Sequence, residues 1–272
     1  MLTLIFGILV GLALGLTGGG GSIFAVPLLI FGLGIAPQEA ITISLAAVTM
    51  VAFIGTISAA KIGLVEYRAG AIFAAAGFVT APFGVLIANH LEDRLILTAF
   101  SILVILVSAS MWRRAGSSPQ NTTVVRANFS SVDTTAGAIC RFNPDNKSLR
   151  LTAPCSLVLT LAGTVTGILS GLFGVGGGFI IVPALMIITR LSIQRAVATS
   201  LFVITLIGTS GIAAAMISER KLDLAVTALF LAGGITGMLM GRKIANRIAG
   251  PLLQKTFAGM LLIVAAVTLL SH

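Results

Sequence analysis

Eight long apolar segments separated by short polar loops run through this chain and restrict it to a helical membrane fold. They lie at about 1–33, 40–60, 69–89, 95–112, 154–189, 196–218, 224–241 and 256–271. Most have the length of one helix crossing, for which about 20 residues suffice. Charged residues make up only 9% of the chain, against about 25% in soluble domains. The sequence therefore predicts a polytopic, all-α protein that is embedded in the lipid bilayer.

The two sets of four segments are copies of one another. Under a constant shift of 156 residues, the residues at 7, 11, 15, 18, 20, 21, 27, 38 and 44 recur at 163, 167, 171, 174, 176, 177, 183, 194 and 200. One shift that holds for glycine, proline, glutamine and serine indicates an internal duplication. We expect a first membrane repeat over 1–112, a polar loop over 113–153 and a second repeat over 154–272. In the loop, alternating residues around the turn at 142–146 favour a small β-hairpin.

The first segment of each set is too long for one crossing and is interrupted by glycine. As one helix, residues 1–33 would extend roughly 50 Å at about 1.5 Å per residue, whereas the hydrocarbon core is about 30 Å thick. The interruptions are residues 18–22, Gly-Gly-Gly-Gly-Ser, and residues 174–178, Gly-Val-Gly-Gly-Gly; they are called here the first and second breaks. We expect each segment to form a glycine-broken hairpin that is either re-entrant or crosses twice.

The positive charges predict the orientation of the chain. The net charge is +9, but the Lys and Arg residues lie between the apolar segments, where they orient helices, and nucleic-acid binding is not expected. If each broken segment returns to its starting side, 14 of the 17 basic residues fall on one side. That side is then cytoplasmic, with both termini outside and the 113–153 loop inside. Each half has three further crossings, so the two repeats are inverted.

The matched breaks are the predicted substrate site. Irregular backbone inside a membrane persists only where protein buries it or where it lines a cavity, and breaks at matching positions mark a transporter's site. Free N–H groups and helix N-termini at the breaks favour an anion. The candidate residues are Gly19, Gly20, Gly21, Ser22, Gln38, Ser44, Gly176, Gly177, Gly178, Gln194, Thr199 and Ser200. The alternative, that the glycines serve turns and packing and the polar residues cap helices, stays open.

Other chemistry is not expected from this sequence. No charged residue lies in the middle of a predicted span, so we expect no carboxylate proton relay at mid-membrane. No paired nucleophile and base and no metal-ligand cluster occur, so the sequence predicts neither an enzyme nor a metal or cofactor site. The two cysteines match no metal or redox spacing and suggest no disulfide framework. Gly7, Gly11, Gly15 and their copies predict a ridge for close helix packing.

Both halves resemble the sulfite exporter TauE/SafE family. The second half carries Gly171-Leu-Phe-Gly-Val-Gly-Gly-Gly-Phe-Ile-Ile-Val-Pro183, then Gln194-Arg-Ala-Val-Ala-Thr-Ser200, and the first half repeats the pattern from Gly15 to Pro27. The resemblance implies an inner-membrane carrier of a small inorganic or organic sulfur anion, such as sulfite or an organosulfonate. Alternating access of the two inverted repeats would move the anion.

Several points remain open at this stage. An anion channel and a carrier of a different small anion are the alternatives, and the chain could work alone or as a homodimer. The first half departs from the pattern at Ser22, where the second has Gly178, and at Ile43, where the second has Thr199. The two half-sites are therefore expected to be unequal.

Overall fold

Nine α-helices make up nearly all of the part of the chain that a computed structural model describes. This part comprises residues 1–116, 141–143, 148–150, 153–189, 191–218 and 223–245. The helices are α1 (Leu2–Thr17), α2 (Ala25–Leu33), α3 (Pro37–Lys61), α4 (Tyr67–His90), α5 (Asp93–Gly116), α6 (Ala153–Phe173), α7 (Gly178–Thr189), α8 (Ile193–Ile217) and α9 (Leu224–Ala245). A short 3₁₀ helix, Gly20–Phe24, precedes α2. The predicted last segment, 256–271, lies outside the described residues.

Five of the described helices, α3, α4, α6, α8 and α9, are long and apolar enough to cross a membrane. Large apolar side chains on them remain exposed, among them Phe83 on α4 and Leu161 on α6, which is 62% exposed. Such a surface suits lipid, because contiguous apolar area of this kind is rare on soluble monomers. The predicted all-α membrane architecture is confirmed.

Two short strands lie within the 113–153 loop. β1 (Arg141–Asn143) pairs antiparallel with β2 (Ser148–Arg150), and Phe142 stands opposite Leu149. The turn signal Pro144-Asp145-Asn146 falls between the strands in the sequence, as a hairpin requires.

The helices that follow the breaks are too short to cross on their own. α2 has 9 residues and α7 has 12, which at about 1.5 Å per residue gives roughly 14 and 18 Å, against about 30 Å of hydrocarbon. The helix before each break ends on a glycine in the left-handed region, Gly18 at φ 72° and Gly174 at φ 66°. Each glycine donates its N–H to the preceding turn, Gly18 to Leu14 at 2.7 Å and Gly174 to Ser170 at 2.9 Å.

The first helix of each half packs along the fourth helix of the other half. α1 lies along α9 and α6 lies along α4, and these are the most extensive helix contacts in the described residues. A Cβ on Gly11 would overlap the backbone of Gly234, and one on Gly167 would lie 2.7 Å from the Cα of Gly77. The predicted glycine ridge is confirmed, since only glycine permits these backbones to approach so closely. α3 packs against α8 between the two seams.

The structure corrects one expectation about the cysteines. Cys155, buried near the start of α6, is disulfide-bonded, whereas the sequence suggested no disulfide framework. The spacing could not reveal it because the chain has only two cysteines, and such a pair carries no recognisable framework. The other cysteine, Cys140, lies outside the described residues.

Candidate functional site

The two glycine breaks lie against one another. A Cβ on Gly19 would be 2.6 Å from the Cα of Gly178, and a Cβ on Gly178 would be 2.5 Å from the Cα of Gly19. Both glycines are buried. The backbones of the two breaks therefore meet at a contact that no side chain could enter.

Two serine hydroxyls link each half to the break of the other half. Ser200 on α8 donates to the carbonyl oxygen of Gly18 at 2.6 Å, and Ser44 on α3 donates to that of Gly174 at 2.9 Å. Both serines are fully buried, and the shift of 156 residues relates donor to donor and acceptor to acceptor. These bonds satisfy carbonyl groups that the end of α1 and the end of α6 would otherwise leave unpaired.

Replacing Ser44 or Ser200 with alanine is expected to destabilise the protein. Each change leaves a buried carbonyl without a donor, which costs about 1–3 kcal/mol, although bonds between membrane helices average nearer about 0.6 kcal/mol. The melting temperature of each purified variant is compared with that of Ser101→Ala. Ser101 is an equally buried serine whose hydroxyl bonds only to Leu97 in its own helix. Losses no greater than that of the control would contradict a linking role.

The remaining candidate side chains differ in their hydrogen bonds and in their burial. Ser22 belongs to the first break and donates to the carbonyl oxygen of Gly19 at 2.7 Å. Thr199 accepts the backbone N–H of Glu66 at 2.9 Å. Gln38 is half-buried and Gln194 is exposed, each in the first turn of its helix. The structure therefore brings the glycines of the breaks together with Ser44 and Ser200, while Gln38 and Gln194 begin the two helices that carry these serines.

Backbone N–H groups are the donors left at the breaks. In the described residues, no acceptor pairs with the N–H groups of Gly20, Gly176 or Gly177. No charged residue occurs over 1–38 or 151–189, so the donors of both broken segments are neutral. The site can hydrogen-bond an anion without a buried cation.

A small apolar cavity is lined by residues that lie next to the breaks. Its volume is about 10 Å³, and Leu14 and Val48 are among its lining residues. Leu14 lies against Gly21 of the first break, and Val48 lies against Gly176 of the second. This space is about enough for one water molecule, so a bound oxyanion requires the breaks or their surroundings to move apart.

A buried carboxylate at the start of α4 was not predicted from the sequence. Glu66 is only 9% exposed, and its carboxylate lies 3.7 Å from the guanidinium of Arg195 on α8. Burial raises the pKa of Glu66, and the charges of Arg195 and Arg68 offset part of that rise. The sequence signal that could have identified Glu66 is its position. An acidic residue directly precedes the fourth helix of each half, Glu66 before α4 and Asp223 before α9.

The stability of the protein is expected to fall as the pH rises through the raised pKa of Glu66. The folded chain favours the protonated form, so its extra stability is present below the ordinary value of 4.5 and is lost once the carboxylate ionises. Melting temperatures of the native chain and Glu66→Gln are measured between about pH 4 and pH 8. The native chain should lose stability relative to the variant as pH increases. Tyr67→Phe is the neutral control, and a constant difference between native chain and Glu66→Gln would contradict the assignment.

In the described residues, a helical membrane fold has five candidate spans and two glycine breaks that meet between duplicated halves, which are features of a membrane transporter. This chain belongs to the sulfite exporter TauE/SafE family, whose pattern matches residues 3–268. It is therefore a multi-pass membrane transporter and not an enzyme, as the sequence predicted.

Curated relatives carry the same description. A "Probable membrane transporter protein" of Xylella fastidiosa (strain 9a5c) is 34% identical, over 95% of this chain and 90% of that protein. The "Probable membrane transporter protein YunE" of Bacillus subtilis (strain 168) is 28% identical, over 97% and 93%. The "Probable membrane transporter protein MJ0441" of Methanocaldococcus jannaschii is 27% identical, over 78% and 70%. No solved structure gives a significant match.

Proposed function

We propose that this protein is an inner-membrane carrier of a small sulfur-containing anion, such as sulfite or an organosulfonate. The observation that carries the proposal is the meeting of the two breaks at Gly19 and Gly178, with unpaired N–H groups beside that contact. The family description supplies the substrate class, sulfite. The geometry supplies a neutral, donor-rich site between the halves, where membrane carriers bind their substrates.

The energetics favour a site with several neutral donors. A small oxyanion loses hydration worth several kcal/mol when it leaves water. One helix N-terminus returns only about 0.3–1 kcal/mol, or up to about 2 kcal/mol when partly buried. Amides from both breaks, together with hydroxyl donors, are therefore needed to bring the ion near balance. A site whose hydrogen bonds roughly offset the lost hydration suits a carrier, because tight binding would slow release of the anion.

Two observations support re-entrant segments and inverted repeats. α2 and α7 are shorter than one crossing, which favours segments that return to their starting side. The contact of Glu66 with Arg195 places the α3–α4 turn beside the start of α8. These two loops fall on the same side in the arrangement that collects the positive charges, with both termini outside.

The disulfide at Cys155 favours the opposite orientation. Disulfides persist in oxidising compartments and are rare in the cytosol, whereas the charge distribution places the start of α6 in the cytoplasm. The orientation can be decided in intact cells by labelling the thiols of reduced protein with a reagent that does not cross the membrane. Labelling only after permeabilisation supports the cytoplasmic placement, and labelling of intact cells overturns it.

Transport would proceed by movement of one half against the other. The serine links and the Gly19–Gly178 contact hold the breaks together in the described conformation. An arriving anion would replace contacts between the breaks with hydrogen bonds to their N–H groups. Rocking of the two repeats about this point would then open the site to either side in turn. Movement down a gradient, or with a proton carried by the substrate itself, requires no ionisable residue at mid-membrane.

The test is uptake by purified protein in liposomes. Sulfite, thiosulfate, sulfate, sulfoacetate and chloride are offered separately, with protein-free liposomes as the control. We expect saturable uptake of sulfite or sulfoacetate that is accelerated when the same anion is preloaded inside.

Each alternative has its own result in this assay. Flux that does not saturate and shows no acceleration by preloaded anion would identify a channel. Saturable uptake of chloride or sulfate alone would assign the carrier to a different anion. No uptake of any anion would overturn the proposal.

A further inference from the structure

One backbone donor is satisfied in the first break, whereas its equivalent in the second break has no acceptor in the described residues. In the first break the N–H of Gly21 donates to the hydroxyl of Thr17 at 3.2 Å. The equivalent of Gly21 is Gly177, and the equivalent of Thr17 is Phe173, which has no hydroxyl. Within the described residues, the Gly177 N–H has no acceptor. The duplication therefore leaves one amide unpaired in the second half only.

A buried hydroxyl without a partner lies beside this amide. Ser170 on α6 is 1% exposed, and its Oγ has no hydrogen-bond partner among the described residues. A Cβ at position 177 would be 3.7 Å from the Cβ of Ser170, so this side chain lies against the second break. Its equivalent in the first half is Leu14, which has no polar group.

A buried hydroxyl without a hydrogen-bond partner lowers the stability of the fold unless a ligand supplies that partner. Leaving such a group without a hydrogen bond is unfavourable, and native structures keep few of them. The neighbouring amides of Gly176 and Gly177 are also donors without acceptors in the described residues. The Ser170 hydroxyl and these two N–H groups belong to one short segment without a carboxylate, since residues 151–189 contain no charge, and Ser170 lies against Gly177. The missing partner is therefore an acceptor, and neutral donors of this kind suit an anion.

We infer that the sulfur oxyanion binds at the second break, where Ser170 donates a hydrogen bond to one of its oxygens beside the Gly176 and Gly177 amides. This inference rests on the proposed function. It assigns unequal parts in anion binding to the two breaks. The first break contributes one donor fewer, because the Thr17 hydroxyl already accepts the N–H of Gly21. Ser170 is then a substrate-binding residue that the sequence pattern did not single out.

The experiment measures sulfite binding by the purified chain. The signal is the rise in melting temperature as sodium sulfite is added, and the reference is the melting temperature in sodium chloride at equal ionic strength. The variants are Ser170→Ala and the control Ser101→Ala, which removes an equally buried hydroxyl far from the breaks in sequence. Loss of one hydrogen bond to a charged group should weaken apparent sulfite affinity about ten- to a hundredfold in Ser170→Ala. Ser101→Ala should retain native affinity.

Melting temperatures measured without sulfite distinguish an effect of Ser170→Ala on binding from an effect on folding. Without sulfite, Ser170→Ala should melt no lower than the native chain, because removing an unpaired buried hydroxyl takes away no hydrogen bond. A lower melting temperature of the unliganded variant with unchanged sulfite affinity would show a structural role and overturn the inference. Equal sulfite affinity in native chain and Ser170→Ala would overturn the inference and leave the carrier proposal standing. No stabilisation of the native chain by sulfite, together with no sulfite uptake into liposomes, would overturn both.

Discussion

Gly178→Ala is expected to reduce sulfite uptake at least tenfold and to lower the melting temperature. The added methyl would stand 2.5 Å from the Cα of Gly19 and 2.6 Å from Cδ1 of Ile204. The backbone of Gly19 has little room to move, because it follows Gly18, which caps α1 and whose carbonyl oxygen accepts a hydrogen bond from Ser200. Overpacking of this kind costs about 1–3 kcal/mol, and it separates the two breaks at their point of contact. Uptake into liposomes and the melting temperature of the same preparation are the measurements.

Gly55→Ala is the matched control for this substitution. Gly55 is a buried glycine on α3, and a Cβ there would meet only the ends of the Leu201 and Met238 side chains, at 3.0 and 3.1 Å. Those ends can shift, so uptake should stay near the native value. If Gly178→Ala transports as well as Gly55→Ala, contact between the breaks is not needed for transport.

Gly167→Leu is expected to prevent accumulation of folded protein. A side chain at this position on α6 would enter the backbone of Gly77 on α4 and displace Thr80. The two helices would have to separate along their whole seam, at a cost of several kcal/mol against a total stability of about 5–15 kcal/mol. The yield of monodisperse protein after detergent extraction is the measurement.

Val165→Leu is the control on the same helix. Val165 is 47% exposed and faces away from the seam, so a larger apolar side chain there should be accepted by lipid. Native yield of Gly167→Leu, matching that of Val165→Leu, would show that the α4–α6 seam tolerates a side chain and that the ridge is not essential.

The breaks and the helix ridge could be predicted from the sequence, because both consist of glycines that recur in the two halves. The breaks could be located because glycine runs recur at one shift, and the helix ridge could be located because Gly7, Gly11 and Gly15 fall on one helix face. The same reasoning put Ser44 and Ser200 near the site. It did not identify their partners, because the bonds join residues 130 and 182 positions apart. Local pattern carries no information about such pairs.

The residues that sequence reasoning missed depend on burial. Glu66 stands next to the Tyr67-Arg68 pair in a polar turn and looks like a solvated residue until α8 covers it. Ser170 is one of several serines on apolar helices, where the usual fate of a hydroxyl is a bond to the preceding turn. Only the structure shows that it lacks one among the described residues. Gln38 and Gln194 illustrate the converse, since equal positions in the repeats gave them equal weight although one is half-buried and the other is exposed.

The pairing of α1 with α9 has a consequence for how the protein is made. More than 200 residues separate the two helices, so on a ribosome the first helix enters the bilayer long before its partner exists. α6 follows α4 much sooner along the chain, and that seam can close while synthesis continues. Contacts distant in sequence form late, and a chain synthesised from its N-terminus adds its last elements last. We therefore expect α1 to remain in the bilayer with its glycine face in contact with lipid until α9 is made, and to pack against α9 near the end of biogenesis.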